Sequence, residues 1–231
     1  MNTVLITGAS AGIGMTTAEK FVEAGYRVIN LSRRPCPIAA VEHISCDLAQ
    51  PEFLDSIRDQ LRDSIDGSEH IVLIHNAAKL VNDTTLKTDS ASLREVIEIN
   101  LVAPNTLNGF VLPFMQAGSS ILYVGSTLSE KAVPGSFSYV TTKHAMVGMM
   151  RATCQDLAGQ GIHTACICPG FTDTEMLREH VPAEVMPQIA GMSAYERLVT
   201  PEEIANTLFF AARSPVLNGA IIHANLGQVE R

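Results

Sequence analysis

A chain of 231 residues, 46% hydrophobic and 17% charged, is long enough to bury one substantial core and too apolar to stay unfolded. Its formal net charge of −8 disfavours nucleic acid or an anionic membrane as the main partner. Strand-like residues begin at Thr3 without a basic and apolar leader, and no apolar run approaches the ~20 residues that cross a bilayer, so a cytoplasmic protein without a membrane segment is expected.

The first element, Thr3-Val4-Leu5-Ile6, reads as a buried strand and leads into Thr7-Gly8-Ala9-Ser10-Ala11-Gly12-Ile13-Gly14. Ile13, Thr17, Phe21 and Val22 then recur at helical spacing, and Gly25 suits the end of that helix. A strand, a glycine turn and a helix start suit a pyrophosphate. Glycines let the backbone approach closely, and the free N–H groups and dipole of the helix favour negative charge. A plain tight turn is the alternative for the glycines alone, and their Gly-x-x-x-Gly-x-Gly spacing differs from the fingerprint with two residues between its last glycines. Further strands are expected near 27–32, 42–46, 71–75, 120–125, 162–168 and 219–224, with helical segments between most of them, which predicts a parallel sheet covered on both faces. Pro51 suits a helix start, Pro104 a kink in a long helical pattern from about 90 to 114, and Thr200-Pro201-Glu202-Glu203 a capped start. No linker-like stretch divides the chain, so one domain spanning 1–231 is expected.

The five cysteines include no Cys-x-x-Cys and the histidines no His-x-x-x-His, so neither disulfides nor a metal site are expected. Cys166 and Cys168 alternate along a strand and share a face, and His75 reads as a polar residue at a strand end.

The chemistry-bearing group is Ser126, Tyr139 and Lys143. Tyr139 and Lys143 stand one helical turn apart, so an ammonium can sit beneath a phenol and lower its pKa from about 10 towards working pH. Ser126 follows the strand-like Ser120-Ile121-Leu122-Tyr123-Val124-Gly125, placing its hydroxyl where parallel strands end and ligands bind. Alone, Tyr-x-x-x-Lys is more often an amphipathic tyrosine beside a solvated lysine.

Taken together, Thr7 to Gly14, Asn76-Ala77-Ala78, Asn100, Ser126, Tyr139 with Lys143, and Pro169-Gly170 with Thr174 resemble, in order, the motifs of the short-chain dehydrogenase/reductase family. Residue 78 is an imperfect match, since the family carries glycine there. The resemblance implies a Rossmann-type α/β sheet of about seven strands in the order 3-2-1-4-5-6-7, and reversible hydride transfer between a nicotinamide dinucleotide and a carbonyl or alcohol substrate. It implies Tyr139 as general acid/base, Ser126 as the hydrogen bond to the substrate oxygen, Lys143 as biasing the tyrosine and holding the ribose, and Asn100 as holding a water. A helix-interior asparagine serving a bend near Pro104 is the alternative for Asn100. Dinucleotide contacts are implied at Gly8, Ser10, Ala11, Gly12, Ile13, Gly14, Asn76, Ala77, Ala78, Tyr139, Lys143, Pro169, Gly170, Thr172 and Thr174.

Ser32 stands where an acid would bind the ribose of NAD, and Arg33 and Arg34 can grip a 2′-phosphate, which favours NADP over NAD. Solvated turn arginines remain the alternative. Asp47-Leu48 resembles the adenine-contacting pair, with a helix-capping turn as its competing role. Residues 171–197 carry Met176, Leu177, Val181, Val185, Met186, Ile189, Met192 and Tyr195, enough for a lid helix over an uncharged or partly apolar ligand, with packing of the lid on the core or a subunit contact as the alternative; Arg178 there reads as a surface residue, with a carboxylate partner as its alternative. Where relatives end in apolar-Asp-Gly-Gly, this chain has His223-Ala224-Asn225-Leu226-Gly227. A homodimer or homotetramer is the family expectation, and a catalytically silent dinucleotide-binding regulator or scaffold is the competing function.

Overall fold

The computed structural model describes residues 1–228. Seven strands, β1 (Thr3–Thr7), β2 (Arg27–Ser32), β3 (Val41–Ser45), β4 (Ile71–His75), β5 (Ser120–Val124), β6 (His163–Pro169) and β7 (Ala220–Ala224), form one sheet in the order β3-β2-β1-β4-β5-β6-β7. Every neighbouring pair is parallel, as alternation with helices requires. The expected strands fall within one residue of these bounds at nearly every end.

The two-residue period of the strands divides the core. Leu5, Leu31, Leu73, Ile121 and Tyr123 point to the face covered by α2 (Phe53–Ile65), α4 (Ala103–Val111) and α5 (Phe137–Asp156). Val4, Ile6, Val72, Ile74 and Leu122 point to the face covered by α1 (Gly12–Glu23) and α8 (Pro201–Ala212). Phe21 of α1 meets both Tyr26 and Phe209 edge-on at 5.0 Å, locking that second layer. The start of α8 is a capping box, in which Thr200 Oγ1 accepts from Glu203 N and Glu203 Oε2 accepts from Thr200 N.

Two boundaries differ from expectation. Helix α2 begins at Phe53, because Asp47 to Pro51 is taken up by a turn in which Asp47 Oδ1 accepts from Ala49 N and the Asp47 carbonyl from Gln50 N. The long pattern from 90 to 114 is helical throughout but changes type at the proline. It runs as α3 (Ser90–Ile97), a π-helical turn at Glu98–Val102, α4, and a 3₁₀ turn at Leu112–Phe114. Pro104 supplies the cause, since it has no N–H to give the Asn100 carbonyl. The ladder widens, and Ala103 N donates to Glu98 O, five residues back. The lid is likewise broken into α6 (Glu175–His180) and α7 (Met186–Ala190), with Pro182 between them.

Candidate active site

The C-terminal ends of β1, β4, β5 and β6 converge on one edge. At β1 the chain turns at Gly8 (φ +74°) and Gly12 (φ +53°), conformations that other residues adopt at a cost. Gly14 is required for a different reason: a Cβ there would lie 2.2 Å from the Gly8 carbonyl oxygen. Neutral side chains lock the turn. Asn76 Nδ2 donates to the Thr7 and Gly8 carbonyls, and Thr7 Oγ1 accepts from Asn76 N and Ala77 N, each at 3.0 Å. Asn30 Oδ1 accepts from Ala9 N at 2.9 Å. Ala11, the N-cap of α1, has no side chain to bond the first turn, and no acid occupies that turn. The amides of the helix start therefore lack a side-chain partner from the cap, the condition in which a helix N-terminus takes an anion.

At the end of β2, Ser32 Oγ donates to the Arg34 carbonyl at 2.6 Å, and Asn30 Nδ2 to the same oxygen at 3.1 Å, folding residues 32–34 back beside the glycine turn. Arg33 is exposed and makes no hydrogen bond or ion pair among the described residues, whereas Arg34 reaches Glu175 of α6 at 3.4 Å. Asp47 is half-buried, and Leu48 joins the core next to Phe53 and Leu54.

Ser126, Tyr139 and Lys143 are brought together. The Ser126 backbone is extended at the N-cap of a short 3₁₀ turn (Thr127–Ser129): its Oγ accepts from Leu128 N at 3.1 Å and its N–H donates to Ser129 Oγ, which leaves the hydroxyl proton to be donated elsewhere. Ser126 stands near enough to the Tyr139 phenol to favour its ionised form, and Lys143 Nζ lies 5.3 Å from the centre of the Tyr139 ring. Lys143 is fully buried and donates to the Val124 carbonyl at 2.6 Å. The expected direction of the tyrosine pKa is reversed. Burial pushes the Tyr139 phenol up to about 12, against the effect of Ser126, and lowers the Lys143 ammonium to about 8. Desolvation is the largest cause of both shifts.

Asn100 sits at the centre of the π-helical turn, fully buried. Its Oδ1 accepts from Lys79 N at 2.7 Å, and its Nδ2 donates to the Lys79 carbonyl and to Thr142 Oγ1. The side chain thus ties the segment after β4 to α5. Thr172 is also turned inward, its hydroxyl on the Gly170 carbonyl at 3.0 Å, while Thr174 caps α6 and its methyl lies where a Cβ on Gly12 would stand at 3.2 Å. The lid therefore rests on the glycine turn, and His180 Nε2 lies 3.0 Å from the Leu80 carbonyl across the cleft. Arg178 pairs with Asp173, which leaves its guanidinium engaged.

Some site residues carried no motif. Cys166 and Cys168 place their sulfurs 3.8 Å apart directly beneath Gly125, where a Cβ would meet them at 2.7 and 2.8 Å. The hydrogen bond to Cys168 and burial push the Cys166 thiol up. Asn30 and Asp83, described below, are the others; their spacing to their partners spans 21 residues or more.

A Rossmann sheet with a glycine turn at β1 gathers a serine, a tyrosine and a lysine from β5 and α5 at its C-terminal edge. The family model described as enoyl-(acyl carrier protein) reductase matches residues 8–228. Protein FixR of Bradyrhizobium diazoefficiens is 32% identical over 97% of this chain and 86% of its own length. The 3-oxoacyl-[acyl-carrier-protein] reductase FabG of Vibrio cholerae is 25% identical over 96% and 95%. The ligand-free aldohexose dehydrogenase of Thermoplasma acidophilum superposes with a TM-score of 0.90 at 25% identity, covering 98% of this chain and 93% of that one. The chain belongs to the short-chain dehydrogenase/reductase family.

Proposed function

We propose that this protein is an NADPH-dependent carbonyl reductase, working reversibly on a small carbonyl or secondary alcohol. The observation that carries the reading is the convergence of Ser126, Tyr139 and the buried Lys143 ammonium under the phenol ring, at the strand ends beside the glycine turn. The residues fit a dinucleotide: Gly14 has no room for a side chain, the first turn of α1 has no side-chain cap, and no acid stands at the end of β2. Gly8 to Gly14 would hold the pyrophosphate, Ser32, Arg33 and Arg34 the 2′-phosphate side, and Pro169, Gly170 and Thr174 the carboxamide. When bound, the nicotinamide supplies or accepts the hydride.

The protein's own part is the proton and the charge. In reduction, Tyr139 donates its phenolic proton to the substrate oxygen while Ser126 donates a hydrogen bond to the same atom, favouring charge where it develops. With its pKa near 12 the phenol is protonated at neutral pH, the form that reduction requires. In the reverse direction the phenol must ionise, and the Lys143 charge offsets part of its desolvation. Asn100 fixes the segment from Lys79 to α5, and so the wall of the site beside Tyr139. Residues 171–197 form a lid whose half-buried Met176, Leu177 and Met186 suit a partly apolar substrate. The names of the FabG and aldohexose dehydrogenase relatives, a 3-oxoacyl reductase and a sugar dehydrogenase, accord with carbonyl chemistry and leave the substrate wide.

Fluorescence titration with NADPH and NADH, on the unmodified chain and on Arg33→Ala, tests the cofactor. Tighter NADPH binding that falls about tenfold in the variant, with NADH unchanged, is expected for loss of a charge-assisted phosphate contact. Equal affinities would remove the NADP assignment. Binding without turnover of a ketone and aldehyde panel would leave a dinucleotide-binding regulator.

A further inference from the structure

Helix α5 carries both Tyr139 and Lys143, yet its own start is weakly held. Its N-cap Ser136 makes no side-chain capping bond, and its first turn contains no acid. The first-turn amides must find acceptors elsewhere or go unpaired in a buried place. Asp83, in the segment after β4 and 55 residues earlier in the chain, provides them. Its Oδ1 accepts from Ser138 N at 3.0 Å and its backbone carbonyl from Phe137 N at 3.3 Å, while its own N–H donates to the Gly135 carbonyl at 3.0 Å. Thr88 Oγ1 donates to Oδ2 at 3.0 Å, so both carboxylate oxygens are engaged. Asp83 is 8% exposed and Ser138 fully buried, which makes the contact a sealed one.

The position of this cap is what gives it meaning. Ser138 is the residue before Tyr139, and three residues beyond Tyr139 the helix is tied again, through Thr142 to Asn100. Tyr139 therefore lies between two side-chain braces that both belong to the stretch from β4 to α4. We propose that Asp83 is a positioning residue for the acid/base tyrosine, a remote N-cap that fixes the first turn of α5 and so the phenol against Ser126. The inference rests on Tyr139 acting as the acid. A misplacement of about 1 Å at a reacting group can cost on the order of a hundredfold in rate.

Asp83→Ala and Asp83→Asn separate this role from general stability. The asparagine amide can still accept from Ser138 N, and its NH₂ can donate to Thr88 Oγ1, which retains the Thr84 carbonyl as acceptor at 2.8 Å. In Asp83→Ala, kcat is expected to fall about ten- to a hundredfold, with KM and dinucleotide affinity changing less than about twofold. Deuterium uptake in the peptide 137–143 should rise, and Asp83→Asn should restore both quantities to near those of the unmodified protein. An unchanged kcat in Asp83→Ala, or an Asp83→Asn as slow as the alanine variant, overturns the proposal. If the unmodified chain turns over no carbonyl substrate, the hydride-transfer reading has failed. Exchange in 137–143 then decides the capping role by itself, and uptake unchanged in Asp83→Ala sinks it. Should Asp83→Ala not fold, Asp83→Glu keeps the charge and displaces the acceptor by one methylene. A kcat loss of about tenfold at constant KM supports the proposal there, and a normal kcat overturns it.

Discussion

The proposed dinucleotide end of the candidate site and its proposed catalytic end share one edge of the sheet but are made of different materials. Around the glycine turn the braces are neutral: Thr7, Asn30 and Asn76 all bond to backbone, and the shape is fixed by glycine conformations and by the missing Cβ of Gly14. Around Tyr139 the structure buries groups that can ionise, namely Lys143, Cys166, Cys168 and Asp83. Hydrogen bonding from Ser138 and Thr88 holds the Asp83 carboxyl below its ordinary value despite burial, whereas burial moves Tyr139 and Lys143 away from charge. A pyrophosphate brings its own charge, so its cradle needs only oriented N–H groups. Burial at the other end instead keeps the Tyr139 phenol protonated.

The largest expected effect tests the catalytic side of this contrast. Tyr139→Phe removes only the phenolic oxygen, so the helix and the cradle should survive. Turnover should fall about 10²- to 10⁴-fold while dinucleotide affinity stays within about twofold of the unmodified chain. Residual turnover above a tenth of normal would show that the proton comes from another group. On the other side, Gly14→Ala attacks shape. With a Cβ placed 2.2 Å from the Gly8 oxygen and 2.6 Å from Asn76 Nδ2, the turn has to open. Dinucleotide affinity should drop at least about tenfold and stability by about 1–3 kcal/mol, as for overpacking elsewhere. A chemical denaturation curve together with a binding titration reads both. Normal binding by the Gly14→Ala variant would break the claim that the cradle is set by backbone contact.

The same contrast explains what the sequence made legible. The glycine turn, the strand ends, and Ser126 with Tyr139 and Lys143 are local patterns, set by spacing of a few residues, and the sheet order follows from alternation and the family resemblance. Asn30 bonding Ala9, Asp83 capping Ser138 and Asn100 bracketing Lys79 depend on partners 21 to 55 residues away, and no local pattern encodes such pairs. Spacing placed Lys143 beside Tyr139 but could not give the depth of burial, and depth decides the direction of the phenol's pKa. Pro104 announced a break; that the break would be a widened turn with Asn100 inside it depends on Ala103 finding the Glu98 carbonyl. The lid's apolar content was visible, while its division into two short helices and the Arg178–Asp173 pair arise from the folded loop.

His75 offers a smaller and graded test, because it stands between the two ends, at the last position of β4 just before Asn76. Its Nε2 faces Asn108 Oδ1 at 2.8 Å, and Asn108 Nδ2 donates to the Tyr123 hydroxyl, so the neutral ring with its proton on Nε2 satisfies the chain of contacts. Its Nδ1 is buried with no partner, and a second proton there would have no acceptor. Burial accordingly lowers its pKa to about 4, against the hydrogen bond to Asn108. The unfolded chain takes up this proton near its ordinary value of 6.5, so between 6.5 and 4 the unfolded state binds more protons than the folded one. The stability contribution is full above 6.5 and is lost as pH falls towards 4, to a limit of roughly 3 kcal/mol. His75→Gln keeps a donor for Asn108 and removes the titration. Its unfolding free energy should be lower than that of the unmodified chain at pH 7 and decline less steeply from pH 6.5 to 4, so the two curves converge in acid. Parallel curves would mean that His75 titrates alike in both states, and that the ionisable character of the catalytic side does not extend back along β4.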